Sequence, residues 1–258
     1  MKHLFRILLS VLSFLTVSAP AHAIVNLERA IIGPTADGMH TRLDLLFSGN
    51  SGNTENNRSK VDLLTLLQHD MHTDFLQMQY NYGTSMGQVD TDNAFAHYRH
   101  RYQVTPLYGI EAFGQISRDP FARLTRRTLW GGGARWVLFE EEQKTASYLG
   151  LGTFHEQEER TEVTGTTDVT SFETWRANVY LVLKYQFSDQ VRLVNNLYYQ
   201  PALTDGSNFR LLEQGSLMVK LDDHLDLKLS LEMSYDSIPP QTVLPRDTYY
   251  STGLSFSF

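Results

Sequence analysis

Gly83-Thr84-Ser85-Met86-Gly87 matches the G-x-S-x-G string on which a serine hydrolase raises its nucleophile. That string works only on a strand–turn–helix elbow, which lifts the hydroxyl over an oxyanion hole. Here polar, turn-forming residues follow Met86, and a strand running into an outer loop is the better reading. His69 and His72 bracket a short turn and offer two imidazoles to a metal ion, but spacing fixes no third ligand. A solvated turn accounts for them. Asp90-Thr91-Asp92-Asn93 opens like a calcium loop and then fails it. Phe95 stands where the loop needs its Gly, and Arg101 where it needs its closing Glu. Glu156, Glu158, Glu159, Glu162 and Asp168 form an acidic stretch that would suit divalent ions at a lipopolysaccharide layer, although a hydrated loop explains it better. Gly131, Gly132 and Gly133 precede no helix, so they cradle no phosphate; a bend or a close strand contact is expected.

The elements that position these residues have a period of two. Strict alternation marks a strand with two unlike faces. In 75–82, Leu76, Met78, Tyr80 and Tyr82 oppose Gln77, Gln79 and Asn81. In 175–187, Trp175, Ala177, Val179, Leu181, Leu183, Tyr185 and Phe187 oppose Arg176, Asn178, Lys184 and Gln186. In 225–236, five aliphatic side chains and Tyr235 oppose Asp226, Lys228, Ser230, Glu232, Ser234 and Asp236. These runs exceed the ~5–6 residues usual for globular strands. Their apolar faces end in Trp, Tyr or Phe, as a bilayer interface selects.

About twelve strands are expected, near 40–48, 58–68, 73–84, 94–103, 107–117, 125–138, 146–156, 173–186, 190–200, 209–220, 224–236 and 247–258. Connections after even-numbered strands are short: 69–72, 104–106, 140–143, 188–190 and 222–224. Those after odd-numbered strands are longer, as in 48–57, 156–173 and 237–246. An even strand count with short periplasmic turns and longer outer loops describes an all-β fold, a single antiparallel transmembrane β-barrel of the outer membrane. In lipid such a sheet must close, so that no edge is left unpaired.

Both ends of the chain suit export to that membrane. Residues 1–23 carry Lys2 and Arg6, an apolar core from Ile7 to Val17, and the small-x-small site Ala21-His22-Ala23. They read as a signal peptide cleaved after Ala23. The expected organisation is signal peptide 1–23, periplasmic leader 24–37 and barrel 38–258. The last strand, TYYSTGLSFSF, ends on Phe258 and resembles the sorting signal read by barrel-assembly machinery in Gram-negative bacteria. Composition agrees. Mean hydropathy of −0.30 excludes a helical membrane bundle. A net charge of −7, or −9 once Lys2 and Arg6 are removed, argues against nucleic acid as a partner. The absence of Cys removes disulfides, thiolate zinc sites and cysteine nucleophiles.

FSGNSGNTENNRSK (47–60), LWGGGARWVL (129–138), YYQPALTDGSNFRLLEQGSLMVKLDDHLDLKLSLEMSYDSIPP (198–240) and the closing GLSFSF (253–258) resemble the salt-induced outer-membrane proteins, grouped as domain of unknown function 481. The resemblance runs over about 38–258. It implies an outer-membrane β-barrel and no particular activity.

Given such a barrel, alternation turns Arg99, Arg101, Glu111, Arg127, Arg135, Arg176, Lys184, Asp226, Lys228 and Glu232 toward the lumen. Buried charges need partners or water. They either pair into a plug, with the arginines neutralised by Glu111, Asp226 and Glu232, or line a narrow pore that favours anions in its Arg-rich sector. The expected function is non-enzymatic: a small-solute channel or an envelope-integrity protein, with outer-membrane lipids and lipopolysaccharide as partners and no cofactor or metal. The rival is a lipid-modifying enzyme with its site at the outer rim. It requires a Ser or Asp beside a His on the lipid side, within hydrogen-bond reach. The His-x-Ser-Asn-Gly signature of outer-membrane phospholipases is absent, and His100 is expected to face outward beside Tyr98 and Tyr102.

Overall fold

A computed structural model describes residues 37–52, 55–141, 145–161, 169–240 and 243–257. Among them are twelve strands: β1 (Gly38–Asn50), β2 (Asn56–His69), β3 (His72–Ser85), β4 (Gln88–Thr105), β5 (Tyr108–Asp119), β6 (Leu124–Glu141), β7 (Thr145–Thr161), β8 (Val169–Gln186), β9 (Val191–Pro201), β10 (Phe209–Asp222), β11 (Leu225–Asp236) and β12 (Arg246–Ser257). Each pairs antiparallel with its sequence neighbours, and β1 closes the ring on β12. The closing ladder is short. It holds four register pairs, from Arg42↔Ser257 to Leu45↔Leu254, against thirteen between β1 and β2.

Alternation decides which face is inside. On β11, Leu229 and Leu231 stay 40% and 42% exposed, while Asp226, Glu232, Ser234 and Asp236 are buried. In a water-soluble protein this would be inside out. In lipid it is the stable arrangement, because the ring satisfies every strand edge and the outer face meets hydrocarbon. Aromatic residues bound the apolar band. Trp130, His155 and Trp175 lie abreast on β6, β7 and β8, with the two indoles 5.4 Å apart. Trp136, Tyr185 and Phe187 mark the other margin on the same wall, with Tyr185 and Phe187 packed edge to face at 4.7 Å. The protein is an outer-membrane-type β-barrel.

Short turns join β2 to β3, β4 to β5, β8 to β9 and β10 to β11, and both described termini lie at that end. By the usual asymmetry of outer-membrane barrels this end is periplasmic. The cleavage site at Ala23, nearly all of the leader 24–37, and Phe258 fall outside the described residues.

Several strands rise further on the outer side than alternation indicates. β4 begins at Gln88 instead of 94, β7 continues to Thr161 instead of 156, and β8 begins at Val169 instead of 173. Beyond the hydrocarbon both faces of a strand are polar, so the period that reveals a strand disappears. Two loop expectations are corrected by this. The G-x-S-x-G string turns directly from β3 into β4 through Met86 (φ 50°) and Gly87 (φ 74°), a two-residue hairpin and not an extended loop. Glu156, Glu158 and Glu159 belong to β7, and only Glu162 and Asp168 of the acidic stretch fall outside the described residues.

Candidate functional site

The lumen is built differently on its two sides. From β4 to β10, side chains reach across several strands. Glu111 on β5 accepts from Arg101 Nε at 2.8 Å and Arg99 Nη1 at 3.4 Å on β4, and from Tyr180 Oη at 2.6 Å on β8. Arg99 also lies 5.7 Å from the centre of the Tyr180 ring. Gly150, opposite Tyr180, makes this possible: a Cβ there would sit 2.0 Å from the Tyr180 ring. Arg135 stacks 3.5 Å from the centre of the Tyr148 ring, with Lys184 Nζ 5.4 Å from the same ring. Phe113, Leu129, Phe154, Tyr180, Val182, Tyr198 and Leu212 pack as an apolar layer inside the barrel.

Toward the outer mouth a second ionic cluster covers that layer. Glu156 receives Arg176 Nε at 2.6 Å and also binds Arg127 and Arg210. Glu158 receives Arg210 Nη2 at 2.7 Å, Arg160 Nε at 2.8 Å and Arg127 Nε at 3.2 Å. Arg210 Nε reaches Asp236 at 3.0 Å. Charges this deeply buried persist because each faces opposite charge at hydrogen-bond distance.

The wall from β11 through β12 and β1 to β2 is different. Along β11 and β12 its inward pairs are Asp226↔Ser255, Lys228↔Gly253, Ser230↔Ser251, Glu232↔Tyr249 and Ser234↔Asp247, so small residues recur on these two strands, while Arg42, Asp44, Lys60, Asp62, Leu64 and Leu66 line β1 and β2. Contacts here are local. Lys228 reaches over Gly253, which has no side chain to block it, and binds Asp44 on β1, closing the seam. Arg192 binds Asp226, Gln77 Nε2 donates to Asp62 at 2.8 Å, and Gln214 Nε2 donates to Glu232 at 2.8 Å. The Lys228 and Asp44 side chains keep 12% and 16% exposure, whereas Arg127 and Glu156 keep 2% each. A cavity of about 30 Å³ opens between Asp44, Lys60, Asp62, Lys228, Ser230 and Ser251. That is room for a water or two.

All ten residues assigned inward from alternation lie on inward-facing positions, but not as one lining. Arg99, Arg101, Glu111, Arg127, Arg135, Arg176 and Lys184 belong to the filled side; Asp226, Lys228 and Glu232 belong to the small-residue wall. Sequence reasoning missed Glu156 and Glu158 by reading 156–173 as a loop, and left out Arg210 although it lies in the expected strand 209–220. Extending the inward parity of Phe154 by two and four residues would have found both carboxylates.

The other motifs resolve into structure. Asp90 binds Arg58 at 2.7 Å and Asp92 binds Arg118 at 2.8 Å, so the calcium-like string is held in ion pairs. Ser85 ends a strand that enters a hairpin, with no helix following it. Outside the lumen, at the periplasmic rim, His100 faces lipid as expected and donates from Nδ1 to Asp74 Oδ1 at 2.8 Å. The pair has the His–Asp contact a rim enzyme needs, but at the periplasmic rim and not the outer one. The other nitrogen of His100 faces His72 and not a hydroxyl nucleophile. His69, Asp70 and Asp37 form an exposed group beside the same turn.

Among solved structures, the translocator domain of the autotransporter NalP from Neisseria meningitidis is similar, with TM-score 0.49, 12% identity, 88% of this chain covered and 91% of that one. The KdgM porin in complex with disordered oligogalacturonate gives 0.45, 10% identity, 86% and 99%. The NanC porin gives 0.46, 12% identity, 85% and 99%. No curated protein matches this chain. The family model described as "Protein of unknown function, DUF481" matches residues 44–258, from the middle of β1 through β12, and the chain belongs to that family.

Proposed function

We propose that the barrel is a non-enzymatic, narrow channel for small polar solutes, conducting along the β11–β12–β1–β2 wall. The observation that supports this reading is the small lining at the middle of β12, where Ser251 and Gly253 turn inward beside the cavity at Asp44 and Lys228. The remaining half of the lumen serves as a fixed internal brace. Charges along the conducting wall come in local pairs: Lys228 with Asp44, Arg192 with Asp226, and Arg58 with Asp90. Selectivity between small anions and cations is therefore weak. This replaces the anion preference expected from the arginines, because Arg127 and Arg176 are bound to Glu156, and Arg99 and Arg101 to Glu111.

Planar-bilayer recordings of the refolded protein test the reading. A small conductance is expected, with a reversal potential near zero in a salt gradient. Ser251→Trp should suppress it, while Arg127→Gln, in a variant that still folds, should leave selectivity unchanged. Absence of conductance in the wild type would reject the channel and leave a plugged barrel with a structural role in the envelope.

A further inference from the structure

We propose that His72 and His100 form a binding site for a divalent transition-metal ion at the periplasmic rim, on the outer face of the barrel. The proposal is independent of whether the lumen conducts. β3 and β4 pair as His72↔Tyr102 and Asp74↔His100, which puts both histidines on the outward face of neighbouring strands. His72 Nδ1 and His100 Nε2 face each other at 3.3 Å, with the ring centres 5.3 Å apart. Without an ion the two nitrogens share a long hydrogen bond, which metal binding would replace. Two nitrogens each ~2.0–2.1 Å from a tetrahedral ion are about 3.3–3.4 Å apart. The two rings thus already hold the spacing that a bound ion requires.

The surroundings favour the ligand form of His100. Its Nδ1 donates to Asp74 Oδ1 at 2.8 Å, and the Tyr98 hydroxyl donates to the same oxygen. A carboxylate on one nitrogen fixes the tautomer and leaves the lone pair of the other nitrogen pointing out, the arrangement found behind metal-bound histidines. Tyr102 packs against His72 at 4.9 Å and limits its rotation. Two imidazoles and no thiolate suit zinc, copper(II) or nickel in preference to magnesium or calcium. Both rings keep contact with solvent, so water or a lipid phosphate oxygen can complete the coordination. The sequence alone weighed only His69 with His72; strand pairing supplies His100 in place of His69, with Asp74 behind it.

The test is titration of the untagged, refolded protein in detergent with zinc ion alone, in competition with a chromogenic chelator. One equivalent is expected to bind. His72→Ala and His100→Ala should each weaken binding at least about tenfold, and Asp74→Asn, which preserves shape, by about 10–100-fold. Retarded or advanced migration of unheated samples on a gel verifies that each variant is folded. Binding unaffected by both His→Ala changes would overturn the proposal, as would the absence of any bound zinc. Loss through His69→Ala with His72→Ala unaffected would also overturn it, placing the ion on Asp37, His69 and Asp70.

Discussion

The two halves of the lumen both bury ionic pairs and set them in different surroundings. Around Glu111 and Glu156, arginines and tyrosines span the barrel interior, and each carboxylate collects several donors from strands far apart in the ring. Along β11, β12, β1 and β2, charge pairs reach only to a nearby strand, and serine and glycine occupy the positions between them. Charge count does not separate the two. What separates them is the intervening side chains: Phe113, Phe154, Tyr180 and Tyr198 pack together on one side, while Ser230 and Ser251 border a water-sized cavity beside Lys228 on the other. The Glu111 pairs, enclosed by that layer, therefore depend on their partners, whereas Lys228 and Asp44 lie beside a water-sized cavity; a cavity of about 40 Å³ also borders Arg127, Glu158 and Arg210 at the outer cluster.

The largest effect should come from Glu156→Gln, which removes the carboxylate shared by Arg127, Arg176 and Arg210. A loss of about 3–5 kcal/mol is expected in a urea refolding titration, because uncompensated buried charge remains. Unchanged stability would mean that water reaches this cluster, and the contrast between the halves would fail. Next is Leu229→Arg, on the outward face of the small-residue wall, with an expected cost of roughly 2–4 kcal/mol at the bilayer midplane. Its neighbour Lys228→Gln should cost far less, since glutamine still donates toward Asp44. Equal losses would put the register of β11 off by one residue.

Gly150→Ala probes the brace without touching charge. Its new methyl meets the Tyr180 ring, and displacement of that ring should cost about 1–3 kcal/mol and broaden near-ultraviolet tyrosine signals. The smallest effect should be Asp44→Asn. Asparagine still accepts from Lys228, and the cavity beside the pair has room for water, so the loss by chemical denaturation is expected to be smaller than for the other variants. A loss as large as that of Glu156→Gln would show that the two halves do not differ in solvation.

Most of the fold was legible because lipid enforces alternation wherever a strand crosses it. Leu76, Met78 and Tyr80, or Leu229 and Leu231, announce their face without help from tertiary structure. The signal ends where the strands leave the hydrocarbon, which is why β7 appeared to stop at Glu156 and its two most heavily bonded carboxylates were read as loop. Direction into the lumen was legible for Arg99, Glu111 and Arg135 by parity alone. Pairing was not. Glu111 meets Tyr180 three strands away only because the ring closes and Gly150 leaves space. The rim histidines fall between these cases: parity puts Asp74, Tyr98 and His100 outward, but only the Asp74↔His100 register brings them together.

The seam between β1 and β12 bears on the order in which the barrel assembles. Its four pairs join residues 42–45 to 254–257, the most distant segments of the described chain, whereas every other ladder joins sequence neighbours. Loop-closure entropy grows with the chain enclosed, and here the fewest hydrogen bonds offset the longest loop. Hairpins such as β6–β7 can form before the ends meet, so closure is expected to be the last step of folding and the first to reverse. Amide exchange gives a direct reading: the Leu43 and Leu45 amides should exchange sooner than those of Phe154 or Val182, and the reverse order would contradict late closure. The seam that Lys228 bridges over Gly253 is then also where the cylinder is expected to open and shut.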